Sequence, residues 1–147
     1  MVLESLQSVF IRDLGKLEAE LKLYPSEKSL WEIKGDIKNS AGNLCLHLCG
    51  NLQNYIGGIL GKSGYIRNRD NEFAAKNIPL NQLVEEIGRA KKAIENTLPH
   101  LTKEQLESDY PEQVFGYPVK TLFFLIHLSA HLSYHLGQVN YHRRLVE

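Results

Sequence analysis

Between Leu125 and His142 the sequence runs LIHLSAHLSYHLGQVNYH, and four of the chain's six histidines lie in it. His127, His131, His135 and His142, with Gln138, recur at steps that return to one face of a helix, so their side chains stand above one another along a single stripe. Leu125, Ile126, Leu128, Leu132, Leu136 and Val139 flank that stripe. A helix apolar on both flanks is largely buried, and buried imidazoles need partners. Histidines four apart are separated by about 6 Å along the axis and offset by about 40°. Two such rings can lean onto one ion, as in zinc sites built on a His-x-x-x-His helix. Three in a row cannot easily share one, because the outer two differ by about 12 Å in rise. The segment therefore offers a pair, either His127 with His131 or His131 with His135, and a third ligand must come from another element. The competing arrangement is a hydrogen-bonded layer of core histidines.

The element that can face this pair is a second helix, capped by Asn39 or Ser40 and running to about Gly61. Its important residue is His47. Asn43, Gly50, Asn51 and Asn54 share the face of His47 and are small or polar, which leaves room for a site. Cys45 and Cys49 are each two residues from His47, about 200° around the helix, and are not counted as ligands. They read as reduced, buried thiols, since a disulfide across one helical turn has awkward geometry.

Two further helices complete the set. Leu3, Leu6, Val9, Phe10, Leu14, Leu17 and Leu21 predict an amphipathic first helix near residues 3–23, ended by Tyr24-Pro25-Ser26. Leu80, Leu83, Val84, Ile87 and Ile94 predict a third, with Pro79 in its first turn and Leu98-Pro99 as its stop. Thr102 to Gln105 resembles a capping box for one short turn, and His100 reads as an exposed loop residue. Trp31, in the connection between the first two helices, reads as a core plug. Residues 61–73 form a polar connection in which Arg67 and Arg69 read as solvated, locally paired charges; holding an anionic substrate group is the alternative. The stretch 110–118 is turn-rich, a small hairpin or extended crossing, and Pro118 opens the fourth helix. Four periodic segments with such breaks predict an all-α, single-domain four-helix bundle over residues 1–147.

Seventeen Lys and Arg balance seventeen Asp and Glu, for a formal net charge of zero. With no basic run, nothing suggests nucleic acid as a partner. No segment approaches a membrane span, and Met1 to Phe10 lacks a secretory leader's pattern, so a cytoplasmic protein is expected.

The stretch His131-Leu-Ser-Tyr-His135-Leu-Gly-Gln138 resembles the His-x-x-x-His-x-Gly-Gln ending of the DinB-like superfamily, metal-binding four-helix bundles that include bacillithiol and mycothiol S-transferase relatives. The likeness covers essentially the whole chain, with Leu136 standing where many relatives have Arg. It implies His47, His131 and His135 as ligands of one divalent transition metal, with His127 the histidine that precedes the pair without ligating. Zinc, nickel and iron all suit imidazole. It also implies up-down-down-up connectivity, a homodimer, and thiol S-transferase activity that joins a small-molecule thiol to an electrophile. The long crossover between the second and third helices fits parallel neighbours. Asn43, Asn51, His127 and Gln138 lie within a turn of the three ligands and are candidates to orient an imidazole or a bound water. Tyr134 points either to the pocket rim or into packing. No carboxylate lies on the His face of the second or fourth helix to serve as a base, which favours a metal-activated thiol over hydrolysis. A metal-dependent hydrolase and a non-catalytic, stress-associated metal-binding or dimeric interaction protein stand beside this reading.

Overall fold

Leu6, Phe10, Leu14, Leu17 and Leu21 make the buried stripe of α1 (Val2–Lys22). Their three- and four-residue steps turn one face inward, and each fully buried Leu or Phe contributes about 1.5–3 kcal/mol. The computed structural model describes residues 1–147, and every regular element in it is helical, with no strand. After α1 come a 3₁₀ turn at Lys28–Trp31 and then α2 (Ala41–Leu52), α3 (Arg69–Ala74), α4 (Leu80–Thr97), α5 (Lys103–Glu107) and α6 (Thr121–Val146).

The four long segments pack in a closed cycle: α1 lies against α6 and α4, and α2 lies against α4 and α6. Their inward faces merge into one apolar core, with Phe10, Leu48, Ile87, Ile94, Phe124 and Leu132 among its buried members. Each end has an identifiable cause. Ser40 caps α2 by accepting from the Asn43 N–H at 3.2 Å. Thr102 and Gln105 form the expected reciprocal capping box of α5. Trp31 packs partly buried against the core, and its ring lies where a side chain on Gly42 would have to go, 2.6 Å from that glycine's ideal Cβ position.

Several expectations are corrected. The α-helical winding of α2 stops at Leu52, and the chain continues to Leu60 as a π-helix rather than running as α-helix to Gly61. The wider turn goes with two glycines, Gly57 and Gly58, and with tight packing on α4. A Cβ on Gly57 would lie 3.0 Å from the Ala93 Cβ, and one on Gly61 would meet Thr97 Oγ1. The polar connection after it contains α3, which has too few residues to show a helical repeat; Asn68 caps it by accepting from the Asn71 N–H. Pro118 does not open α6, which starts at Thr121. Before it the chain makes a loop closed by one antiparallel bridge, Asp109 to Lys120. The Tyr110 N–H donates to Val119 O at 2.8 Å and the Thr121 N–H to Ser108 O at 2.9 Å. No helix is long and apolar enough to cross a membrane.

Candidate metal centre

Where α2 faces α6, His47 meets His131 and His135. The Nε2 atoms of His47 and His131 are 3.2 Å apart, and those of His131 and His135 are 3.1 Å apart. One ligand atom from each ring lies within 4.8 Å of the others. The four-residue step along α6 stacks its two rings edge to face, with centroids 4.5 Å apart, and both meet the His47 ring at about right angles. Two ligands on a tetrahedral zinc at about 2.05 Å would stand about 3.3 Å apart. The two separations that involve His131 are close to that value and the third is within 4.8 Å, so the donor set could hold one divalent transition ion.

The outer nitrogens determine which face of each ring carries a lone pair. His47 Nδ1 lies 3.1 Å from Glu72 Oε1, and a carboxylate beside a ring nitrogen selects the Nδ1–H tautomer. Arg67 Nη2 is also 3.4 Å from that nitrogen, but it is committed to Glu72 Oε1 at 2.9 Å. The shorter, charge-matched Glu72 contact is the hydrogen bond, with His47 donating. His135 Nδ1–H likewise donates to Gln138 Oε1 at 2.6 Å. Both rings therefore turn an unprotonated Nε2 toward His131. The Nδ1 of His131 is buried without a partner.

Charge follows the same geometry. Burial, then the imidazoles of His135, His47 and His127, and finally Arg67 push the His131 pKa down to about 4. Burial also lowers His135 below its ordinary value, outweighing the opposing hydrogen bond to Gln138. Both rings are neutral near pH 7, the form that ligates metal. Burial alone would raise Glu72, yet hydrogen bonds from His47 and Arg67 and the charge of Arg67 hold it below the usual carboxylate range.

Glu72 is the residue beside the site that the sequence reading missed, and Arg67 is locally paired as expected but largely buried rather than solvated. Arg67 is not a solvated loop charge: its side chain is 10% exposed and forks onto Glu72, Nε to Oε2 at 2.8 Å and Nη2 to Oε1 at 2.9 Å. The space beside His47 is filled by the same carboxylate. A Cβ on Gly50 would collide with Glu72 Oε2 and lie 2.7 Å from its Cδ. The small residue facing His47 was thus the available signal, together with an Arg and a Glu five apart in a polar connection.

The other candidates divide. Gln138 touches His135 as described. Asn43 reaches no imidazole; its amide nitrogen donates to the carbonyls of Glu72 at 3.0 Å and Ala75 at 2.8 Å, while Oδ1 accepts from Ser40 Oγ at 2.7 Å. It ties α3 to α2 and so holds Glu72 in place. Asn51 is buried, and its Oδ1 has no partner. His127 lies outside the group of three, stacked on His131 with centroids 6.3 Å apart and set edge-on against Phe115. Tyr134 is exposed, with its ring 5.3 Å from that of His135. His142 stands apart from the cluster: its Nε2 donates to Glu32 O at 2.8 Å and its Nδ1 lies 2.7 Å from the Tyr24 hydroxyl, a satisfied core histidine. It keeps nearly the azimuth of the pair, but seven residues of rise set it about 10.5 Å beyond His135 along α6, where it meets a different neighbour. Cys45 and Cys49 are buried free thiols, and the hydrogen bond to Cys45 and burial push Cys49 up.

Residues 3–147 match the model of the family described as Protein of unknown function (DUF1572), and the chain belongs to that family. No curated protein matches the sequence.

Proposed function

We propose that this member of the family is a DinB-like metalloprotein that binds one divalent transition ion through the Nε2 atoms of His47, His131 and His135. The carrying observation is the convergence of three Nε2 atoms, two of them aimed by outer hydrogen bonds to Glu72 and Gln138. The cyclic packing of α1, α6, α2 and α4 supports reading the fold as a four-helix bundle, with α3 inside its long crossover and up-down-down-up connectivity. We further propose a cytoplasmic homodimer. Phe123, Ile126, Tyr134 and Tyr141, exposed on α6, support a partner surface.

The chemistry proposed is thiol S-transfer to a small electrophile. When bound, a divalent ion held by three imidazoles keeps coordination positions open and lowers the pKa of a coordinated thiol or water. The protein's part is to hold three neutral donors in one geometry. Glu72 orients His47 and is itself pinned by Arg67; Gln138 orients His135; the packing of Phe73 on the His47 ring, centroids 4.9 Å apart, limits its rotation. Glu72 is occupied on both oxygens, by His47 and Arg67 on Oε1 and by Arg67 on Oε2, so it is not free to take a proton from a water. That occupancy favours an ionised thiol as nucleophile over base-assisted hydrolysis.

The test is a panel of low-molecular-weight thiols and electrophilic acceptors with the metal-loaded protein. The reading predicts conjugation above background, lost with the metal and in His131→Ala. A metal-loaded protein with no activity on any pair would instead support the non-catalytic metal-binding reading.

A further inference from the structure

We infer that the cavity beside the three histidines takes a small anionic ligand, such as a carboxylate-bearing thiol. Arg69 would meet the anion, and Asn51 would accept a hydrogen bond from the ligand's thiol S–H before it ionises. The inference rests on the metal reading above and names the class of molecule that the site selects.

The cavity has a volume of about 160 Å³, and His47 and His131 form part of its wall. At about 30 Å³ per water, that is the space of about five waters, enough for the reactive end of a small molecule but not for a large one. Tyr55, Phe124 and His127 give it aromatic walls, and no carboxylate lines it. Besides the His131 Nδ1, two polar groups on this wall are unmatched. Asn51 is 7% exposed, and its Oδ1 has no hydrogen-bond partner. A buried acceptor left unpaired is costly, and its position marks where a donor belongs.

The second unmatched group is Arg69. Arg67 is paired with Glu72, whereas the exposed Arg69 forms no ion pair and rests its guanidinium over the Phe73 ring, 5.5 Å from the centroid. Phe73 in turn packs on His47, so Arg69 stands at the solvent side of the metal-facing wall. A planar guanidinium with free donors recognises carboxylate by paired N–H bonds. The pocket thus presents a cation outside, an acceptor inside and the imidazoles of His47 and His131 on its wall.

The experiment titrates cobalt(II)-loaded protein with 3-mercaptopropionate and with 2-mercaptoethanol, following the cobalt absorption bands. Wild type should bind the anionic thiol more tightly than the neutral one. Arg69→Gln should load cobalt like wild type and weaken 3-mercaptopropionate by about tenfold, as expected for a lost charge-assisted bond, while leaving 2-mercaptoethanol unchanged. Cobalt loading with equal affinity for the two thiols, unchanged in Arg69→Gln, would overturn the anion site and leave the metal reading intact. Failure of wild type to take up cobalt would overturn both.

Discussion

At the scale of single residues, the site depends on what stands behind each imidazole. Glu72→Gln keeps the shape and one acceptor but removes the charge that fixes the His47 tautomer and balances Arg67. Metal affinity should fall by about 10–100-fold, the usual effect of losing such an outer partner, in a competition titration against a chelator. Gly50→Ala should act the same way through sterics, because its Cβ would displace the Glu72 carboxylate. The pH dependence has a definite sign. His131 titrates near 4 in the fold and near 6.5 when unfolded, so between those values the unfolded chain binds more protons. This contribution to metal-free stability is fully present above about pH 6.5 and is lost as pH falls toward 4. Denaturant midpoints across that window should decline with acid, and less steeply in His131→Phe. Part of the cluster was legible as local pattern: a four-residue step that includes His131, and a lone His47 on a face of small residues; the spacing left His127 and His135 both open, and the resemblance to the Gly-Gln ending selected His135. The carboxylate partner was not legible. Glu72 reaches His47 from a connection with no periodicity, where an Arg five residues before it is the only local sign of its pairing.

At the scale of elements, α3 is the least self-sufficient part of the site. Six residues cannot sustain a helix alone, and its attachment to α2 runs through the Asn43 amide. Asn43→Ala removes three side-chain hydrogen bonds, to Glu72 O, to Ala75 O and from Ser40 Oγ, and should cost about 1–3 kcal/mol. Amide exchange should speed up across residues 69–75 before it does so in α1 or α4, which would show that the loss is local. The long amphipathic helices were readable because their apolar faces repeat over many turns, as in the Leu6 to Leu21 stripe. The π-helical Gln53–Leu60 was not, since its wider turn answers to Ala93 and Thr97 on α4, contacts remote in sequence. The loop before α6 was misread for a related reason: the bridge between Asp109 and Lys120 delays the helix past Pro118.

At the scale of the whole molecule, the exposed aromatic and aliphatic side chains of α6 argue for a partner of the same kind, and sedimentation at micromolar concentration should give a dimer. A monomer there would remove the homodimer while leaving the metal centre untouched. The centre itself is tested most directly by metal analysis of purified, metal-reconstituted variants. One ion per chain is predicted in wild type and in His127→Ala, and none held tightly in His47→Ala, His131→Ala or His135→Ala. Loss in His127→Ala with retention in His135→Ala would show that the other pair on α6 ligates, and metal retained in all of the variants would contradict the three-histidine site.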